Sequence, residues 1–326
     1  MVGTLTSVSG QKLSSTGLEA DPELAALGWT VPVGRPLELP GRGTTFIREV
    51  TGPPGAPVLL LLHGLSASSG LNWYACFEAL GEHFRVVAVD HRGHGRGIRA
   101  PARFRLSDCA DDAVAVADQL GIERFIPVGY SMGGPISQLI WHRHAARVEA
   151  LVMCATSRNF RGNVRERVQF MALGMMLAGR LAPVPNREAG RILRLIEGML
   201  TPDMGHPGLG RWIAHELSLN DSRRVIEAAE ALGRYSSHDW IDQIDVPTSV
   251  VVTTVDQLVP VRRQVKLARA IPSAVIFPVE GDHLVCARDP GVFVPVLLDA
   301  CQLAVRRAAR LGVRPGRGRR DPPRPA

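Results

Sequence analysis

The sequence has few of the features that build secreted, disulfide-stapled or membrane-spanning proteins. Its 5 cysteines among 326 residues are odd in number and irregular in spacing, so they form neither a disulfide framework nor paired metal ligands. No stretch approaches the roughly 18 uninterrupted apolar residues of a membrane span. The first 39 residues also lack the charged start and apolar core of a signal peptide. These absences predict a cytoplasmic protein with no membrane span and no metal centre.

Lysine is scarce, and the basic charge lies at one end of the chain. There are 2 lysines against 36 arginines, and the formal net charge is +7. Residues 306–326 contain eight arginines and one aspartate, a net charge of +7, so the rest of the chain sums to zero. Together with four prolines, this composition predicts a disordered, solvated tail whose contacts with acidic lipid or nucleic acid are nonspecific. Nothing in the body resembles a nucleic-acid-binding module.

The segment most indicative of chemistry is 129–134, which reads Gly-Tyr-Ser-Met-Gly-Gly with its serine at Ser131. It lies between an apolar run ending at Val128 and a helix-compatible run starting near Pro135, the setting of a nucleophile elbow. A serine hydroxyl is a weak nucleophile unless a sharp turn projects it toward a base, and such a turn requires small neighbours. An ordinary glycine-serine loop can have the same sequence. The candidate acid and base partners of Ser131 therefore decide between a nucleophile elbow and such a loop.

An upstream segment provides a place for an oxyanion. The apolar run Val58–Leu62 is typical of a strand buried on both faces, and His63, Gly64 and Leu65 follow it directly. Acyl transfer needs two fixed N–H donors for the developing negative charge. The residue after the nucleophile, Met132, supplies one, and Leu65 would supply the other. We interpret His63 as a structural histidine that orients this loop rather than as a proton-transfer group.

On these residues the chain resembles the α/β-hydrolase family over roughly residues 40 to 305. The matching pieces follow the family's order: the strand and loop at 58–65, the segment at 90–95, the elbow at Ser131, an acid at Asp256 and a histidine at His283. The resemblance implies a serine hydrolase with the chain order Ser, Asp, His. A serine at the elbow argues against epoxide hydrolase and haloalkane dehalogenase chemistry, which use an aspartate there.

The acid follows a late strand. Residues 248–255 form a β-branched run that Asp256 follows directly, and open parallel sheets place their sites at the carboxyl ends of strands. An aspartate at such a position can also be a helix cap or a turn former. The other acid position of the family follows the preceding strand, but residues 155–160 contain no carboxylate. We therefore predict Asp256 as the acid of the triad.

The base follows the last predicted strand, 274–279. From that loop His283 can reach Ser131, and none of the nine other histidines follows a late strand. The neighbouring Asp282 is a rival orienter of the imidazole. Adjacent side chains usually point apart, so we prefer Asp256.

Alternation of apolar and helix-like segments predicts an α/β fold, with a mostly parallel central sheet and helices on both faces. The apolar runs are 58–62, 86–90, 125–128, 150–154, 248–255 and 274–279, and the helix-like stretches are about 71–81, 107–120, 135–145, 262–271 and 290–309. Residues 36–39 and 44–50 are predicted as leading antiparallel strands. Pro127 lies in one of the apolar runs, and proline is rare in central strands, so that strand either begins late or carries a bulge.

More than 90 residues without a strand-like run separate residues 154 and 248, and a gap of that length must have structure of its own. The predicted units are an N-terminal extension (1–34), the α/β-hydrolase core (35–157 and 239–305), a helical cap or lid (158–238) and the basic tail (306–326). Methionines at 171, 175 and 176 either pack the cap onto the core or line an apolar acyl pocket.

The predicted reaction is attack of Ser131 on a carbonyl, with His283 as base, Asp256 as its orienter, and the N–H groups of Leu65 and Met132 on the oxyanion. The substrate is expected to be a carboxylic ester of modest size with an apolar acyl group, such as a lipid-derived monoacylglycerol. No metal or organic cofactor is required. Members of the family with a serine nucleophile also hydrolyse carbon–carbon bonds or run perhydrolysis, and the motifs do not separate these. The alternative of another class is a noncatalytic ligand-binding protein, which usually lacks a triad member.

Overall fold

A computed structural model describes residues 21–26, 28–160 and 207–311. Within these ranges an eight-stranded sheet forms the centre of the protein. Its strands are β1 (Arg35–Leu39), β2 (Gly43–Val50), β3 (Val58–Leu62), β4 (Arg85–Val89), β5 (Ile126–Tyr130), β6 (Leu151–Cys154), β7 (Thr248–Thr253) and β8 (Ala274–Val279). The helices are α1 (Pro22–Ala25), α2 (Ser69–Trp73), α3 (Phe77–Gly81), α4 (Leu106–Gln119), α5 (Gly133–His144), α6 (Pro207–Ser218), α7 (Ser222–Arg234), α8 (Val261–Ala270), α9 (Val285–Arg288) and α10 (Pro290–Arg310). None of them has the length and apolar character of a bilayer span.

The central strands form where the sequence is continuously apolar, because helices cover both faces of the sheet. In β3, Leu60 and Leu62 face a core shared with α4, α5 and α8. The alternate residues Leu59 and Leu61 face a second core shared with α2, α3 and α10. A strand buried on both faces needs no polar alternation. The predicted α/β architecture with a doubly covered sheet is confirmed.

The strand order places the carboxyl ends of β3 and β5 side by side. The order is β1-β2-β4-β3-β5-β6-β7-β8, and β1 and β2 form the antiparallel edge next to the parallel strands β3 to β8. The chain runs from β3 to β4 on one side and returns to β5 on the other, so the loops that follow β3 and β5 diverge. A reversal of this kind opens a crevice at the carboxyl edge of the sheet, where ligands bind in open α/β folds.

The proline in the central strand β5 is accommodated by a bulge. On the β6 side, one bridge joins Phe125 to Val148 and the next pair joins Val128 to Val152. The chain therefore advances by three residues on β5 and by four on its partner. The extra residue opposite Pro127 lets the ladder continue past the missing N–H. The extra residue lies in the segment that leads into β6 and not in β5 itself, so the predicted bulge is found on the partner of the Pro127 strand.

The described part of the predicted cap is helical, and the two ends of the predicted insertion lie next to each other. Asn159 and Ser236 form an antiparallel bridge. The Ser237 N–H donates to the Arg158 carbonyl oxygen at 2.8 Å. This pairing is compatible with an insertion that leaves and rejoins the core at one point, while the division into domains stays a prediction. The predicted methionine-rich faces lie outside the described residues.

The end of the predicted N-terminal extension is part of the folded body. Leu24 and Val31 are buried in the core on the α10 face of the sheet. Arg48 donates to the Pro32 carbonyl oxygen at 2.5 Å and ties this segment to β2. The residues before 21 lie outside the described ranges.

The predicted basic tail, 306–326, begins inside the last helix. α10 continues to Arg310, so the first five residues of that segment are helical and the predicted start of disorder is wrong. Alanine and arginine both favour helix, and Arg307 donates to the Ser273 carbonyl oxygen at 2.6 Å. Residues 312–326 lie outside the described ranges.

Candidate active site

Ser131 occupies a tight turn between β5 and α5 that only glycine neighbours allow. Its φ is +51°, in the left-handed region that residues with side chains rarely adopt. A Cβ atom on Gly129 would lie 2.2 Å from the carbonyl oxygen of Gly133. A Cβ atom on Gly133 would lie 2.1 Å from the carbonyl oxygen of Leu62. Both distances are far below van der Waals contact, so the glycine pattern seen in the sequence is a steric requirement.

Neighbouring groups hold this strained turn. The Ser131 N–H donates to the Cys154 carbonyl oxygen at 2.9 Å. The Ser131 carbonyl oxygen accepts the Thr156 hydroxyl at 2.7 Å and the Gly134 N–H at 3.0 Å. Strained residues persist where their surroundings over-determine them, and these bonds fix the direction of the Ser131 hydroxyl.

The structure brings Ser131, His283 and Asp256 together in one chain of contacts. Ser131 Oγ lies 2.9 Å from His283 Nε2, and His283 Nδ1 lies 2.8 Å from Asp256 Oδ2. The three residues are 7%, 5% and 5% exposed, in the order Ser131, His283, Asp256. Because the carboxylate accepts a hydrogen bond, the ring proton sits on Nδ1 and leaves Nε2 to accept the serine proton. This is the geometry of an activated nucleophile.

Asp256 is fixed by four further hydrogen-bond donors. Its Oδ1 accepts the N–H groups of Leu258 at 2.9 Å and Val259 at 2.8 Å. Its Oδ2 accepts the Thr253 hydroxyl at 2.8 Å and the Gln264 amide at 3.2 Å. A buried carboxylate needs such partners, and they hold it against the imidazole. Gln264 has no motif around it, and the sequence did not reveal its role.

The rival orienter, Asp282, points elsewhere. Its Oδ2 accepts Arg288 Nη1 at 2.8 Å, and its Oδ1 accepts the Leu284 N–H at 2.8 Å. These bonds tie it to the start and end of the short helix α9. In the described part of the chain, no hydrogen bond joins the Asp282 carboxylate to the imidazole of His283.

The loop after β3 lies against the nucleophile. A Cβ atom on Gly64 would come within 3.4 Å of Ser131 Cβ, and the Gly64 N–H donates to Asn72 Oδ1 at 2.9 Å. The N–H groups of Leu65 and Met132 donate to no other group in the described ranges. The two predicted oxyanion donors therefore have no protein partner within those ranges, and their role stays a prediction.

His63 makes its hydrogen bonds within and between loops. Its Nε2 accepts the His91 N–H at 3.0 Å, so Nδ1 carries the proton that it donates to the Gly64 carbonyl oxygen at 2.7 Å. Burial lowers the pKa of His63 to about 4, which keeps the ring neutral near pH 7. These contacts fix the loop after β3 to the loop after β4, in keeping with the structural interpretation of His63.

Tyr130 is a contact of the site that the motif did not reveal. Its buried hydroxyl donates to the backbone carbonyl oxygen of His283 at 2.8 Å. Its ring also meets the imidazole edge to face, with centroids 5.8 Å apart. The residue before the serine varies freely in a Gly-x-Ser-x-Gly pattern, so its only sequence signal is a tyrosine in an otherwise apolar strand.

The comparison with known proteins agrees with this geometry. The family model for the alpha/beta hydrolase fold matches residues 57–290, most of the chain. The chain belongs to the α/β-hydrolase fold family. This membership confirms the family predicted from the sequence and supports the expectation of a hydrolase.

Two relatives of this α/β hydrolase cover most of its length. A protein named "Putative carbamate hydrolase RutD" from Agrobacterium fabrum is 29% identical over 250 residues, which are 74% of this chain and 92% of that protein. A "Putative non-heme haloperoxidase" from Mycobacterium phage D29 is 31% identical over 245 residues, 72% of this chain and 84% of that protein. Among solved structures, an esterase from Thermogutta terrifontis superposes with a TM-score of 0.66 at 23% identity, covering 85% of this chain and 99% of its own. At that identity the likeness shows the shared fold alone.

Proposed function

We propose that this α/β hydrolase is a serine esterase that cleaves carboxylic esters through an acyl-enzyme. The observation that carries the proposal is the unbroken line from Ser131 Oγ through His283 to Asp256, with contacts of 2.9 and 2.8 Å. It lies at the carboxyl edge of the sheet, beside two N–H groups without other partners in the described ranges.

In the first half of the reaction, Ser131 Oγ attacks the ester carbonyl carbon while its proton passes to His283 Nε2. The carbonyl oxygen takes up the negative charge and accepts hydrogen bonds from the N–H groups of Leu65 and Met132. Each such donor typically lowers the barrier by about 3 kcal/mol. When the tetrahedral intermediate collapses, the imidazolium protonates the leaving alcohol.

In the second half, water attacks the acyl-enzyme, and His283 takes its proton and returns it to Ser131. Asp256 keeps the imidazole in the tautomer with the proton on Nδ1 and stabilises the imidazolium that forms in both halves. In these reaction steps the side-chain and backbone groups of the chain accept and donate every proton and stabilise the oxyanion. The proposed chemistry therefore needs neither metal nor organic cofactor.

The proposed substrate is an ester of modest size with an apolar acyl group, such as a lipid-derived monoacylglycerol. Met132 follows Ser131 and Leu284 follows His283 in the sequence, Leu65 lies in the loop against Ser131, and all three side chains are apolar. These side chains have no hydrogen-bond donors to satisfy, so an apolar group can bind beside the proposed nucleophile without leaving a donor unpaired. A charged acyl group would have no partner among these three side chains.

The test is turnover of a p-nitrophenyl ester series from acetate to palmitate, together with labelling by a fluorophosphonate probe. Ser131→Ala is expected to abolish both, with a loss of turnover on the order of a millionfold. Ser218→Ala, which removes an exposed hydroxyl bonded to the His215 carbonyl oxygen, is the matched control and should leave both intact. Labelling that survives Ser131→Ala overturns the nucleophile assignment. Labelling of the parent protein without turnover of any ester overturns the substrate class.

A second candidate is perhydrolysis, favoured by the 31% identity to the protein named as a non-heme haloperoxidase. Here hydrogen peroxide replaces water as the attacker of the acyl-enzyme, which releases a peracid and regenerates Ser131. Peracid formation from acetate esters with added peroxide measures this branch directly. The peracid yield per mole of hydrogen peroxide is compared with the acetate yield per mole of water. A ratio above one favours perhydrolysis over ester hydrolysis. A carbamate analogue of the best ester tests the chemistry named for the other relative in the same assay.

A further inference from the structure

The loop that carries Leu65, here termed the oxyanion loop (63–69), is held from outside the sheet by the end of α6. Asn220, in the turn after α6, donates from Nδ2 to the Ser66 carbonyl oxygen at 2.8 Å. Glu216, in the last turn of α6, accepts the hydroxyl of Ser68. α6 lies within the predicted cap, so two residues from far along the chain fix a loop at the edge of the sheet.

The Asn220 contact acts on the strained residue next to the proposed donor. Ser66 has a φ of +61°, and a residue with a side chain keeps such a value only when other contacts impose it. The Leu65 N–H precedes that torsion, and the Ser66 carbonyl follows it. Both groups belong to one short backbone segment, so fixing the carbonyl limits the directions open to the N–H.

The amide of Asn220 has one possible orientation. Its Oδ1 accepts the Gly95 N–H at 2.9 Å, and its second amide hydrogen goes to the Leu217 carbonyl oxygen at 3.0 Å. A flipped amide would set N–H against N–H and oxygen against oxygen. Asn220 thus bridges the loops after β3 and β4 with both ends of its side chain used.

Glu216 fixes the second half of the oxyanion loop. It is 1% exposed, and its Oε1 accepts Arg96 Nη1 at 2.8 Å. The Ser68 hydroxyl that it receives also caps α2 by accepting the Leu71 N–H at 3.1 Å. A buried carboxylate with a guanidinium and a hydroxyl as partners is costly to disrupt, so the end of the oxyanion loop and α6 move as one unit.

We propose that Asn220 and Glu216 are positioning residues for the oxyanion site, and that the described cap helix α6 thereby completes it. The proposal rests on the proposed function, since the Leu65 N–H matters only if an oxyanion forms there. Neither residue touches the reacting atoms. They act through Ser66 and Ser68, by holding the Leu65 N–H on the developing negative charge.

The test is Asn220→Asp, which keeps the size of the side chain and the acceptor for Gly95 but removes the donor to Ser66. A carboxylate oxygen then faces the Ser66 carbonyl, and the loop turns away. The expected result is a kcat about tenfold lower with KM unchanged, because the lost contact stabilises only the transition state. Affinity for a trifluoromethyl ketone, which forms a tetrahedral oxyanion on Ser131, should weaken by the same factor. Asn159→Asp adds the same charge at the cap boundary beside Arg263 and should change neither quantity.

A structural role alone predicts a different pattern, in which Asn220→Asp lowers the unfolding temperature while kcat and ketone affinity stay at the parent values. That pattern overturns the inference. If Asn220→Asp fails to fold, Glu216→Gln supplies the second test, with a several-fold loss of kcat at constant KM expected and a parent-like kcat contradicting it. Fluorophosphonate labelling separates the two proposals. A parent protein that is not labelled overturns the proposed function and this inference with it, whereas a labelled parent with an equally reactive Asn220→Asp variant overturns the inference alone.

Discussion

Two aspartates lie near His283 in sequence or in space, and their hydrogen-bond partners separate the roles proposed for them. Asp256 is buried and directs Oδ2 to the His283 ring at 2.8 Å. Asp282 adjoins His283 in the chain but gives its oxygens to Arg288 and to the Leu284 N–H. Within the described residues, Asp282, the neighbour in sequence, therefore makes no hydrogen bond to the imidazole, whereas Asp256, 27 positions away, does.

Asp256→Asn is expected to lower kcat by about four orders of magnitude, because an amide facing Nδ1 favours the tautomer that leaves no acceptor for the Ser131 proton. Asp282→Asn is the matched control, since it removes the same charge one residue from His283. It should keep kcat within about twofold of the parent. Steady-state kinetics on the best p-nitrophenyl ester measure both. A large loss in Asp282→Asn with a small one in Asp256→Asn would reverse the assignment.

For single residues, local sequence patterns predict those proposed to carry the chemistry but not those that support them. Ser131 was predictable because its turn imposes glycines on either side, and His283 because it follows the last apolar run. Gln264 and Asn220 are invisible to such reasoning. Their hydrogen bonds reach Asp256 and Ser66 across 8 and 154 residues, and no periodicity records a contact of that kind.

Among the elements, strands were predicted more closely than short helices. Apolar runs predicted the bounds of β3 and β8 to the residue. In β3 the cause is burial on both faces of a parallel sheet, whereas β8 is an edge strand whose apolar residues are only partly buried. The helix predicted at about 71–81 is instead two helices, Ser69–Trp73 and Phe77–Gly81. The first begins early because Ser68 caps it, accepting the Leu71 N–H, a signal that was present in the sequence. The break after Trp73 has no local cause in the sequence, although the Tyr74 hydroxyl there donates to the distant Ala287 carbonyl oxygen at 2.6 Å.

Strand β5 leads into the proposed nucleophile, and its last residue, Tyr130, also holds the loop that carries His283. Tyr130→Phe removes the hydroxyl that donates to the His283 carbonyl at 2.8 Å. We expect kcat to fall about three- to tenfold, since the imidazole loses part of its support. The free energy of unfolding should fall by about 1 kcal/mol for the lost buried hydrogen bond.

The control for that prediction is Tyr235→Phe, which removes another buried tyrosine hydroxyl, one bonded to Gln138 Oε1 at 3.1 Å. It should cost a similar free energy of unfolding and leave kcat unchanged. Urea unfolding and ester turnover of the two variants give the comparison. Equal kcat in both would show that the Tyr130 hydroxyl serves stability alone.

For the whole molecule, the sequence predicted a sheet with a core on each face, because a doubly covered strand is apolar throughout. It did not predict how the loops at the carboxyl edge interlock. There the three histidines His63, His91 and His94 pack together, with ring centroids 4.3 Å apart for His63 and His91 and 5.6 Å apart for His63 and His94. A cluster of three buried imidazoles ties the stability of the fold to pH.

Burial lowers the pKa of His63 to about 4 and that of His94 to about 3, and it also lowers the pKa of His91. In the unfolded chain a histidine titrates near 6.5. As pH falls from about 6.5 toward 4, the unfolded chain therefore binds protons that the folded protein does not, and the free energy of unfolding falls. The slope should approach about 1.4 kcal/mol per pH unit for each of the three histidines.

Urea unfolding between pH 7 and pH 5, above the range in which ordinary carboxylates titrate, measures this slope. His94→Gln is expected to lower this slope by up to about 1.4 kcal/mol per pH unit, the equivalent of one proton. The variant lacks one histidine that binds a proton in the unfolded chain but not in the folded protein. His83→Gln, at an exposed position, is the control and should leave the slope at the parent value. A free energy of unfolding that stays constant from pH 7 to pH 5 would mean that the cluster accepts protons while folded, and the neutral state assigned to His63 in the loop after β3 would then be wrong.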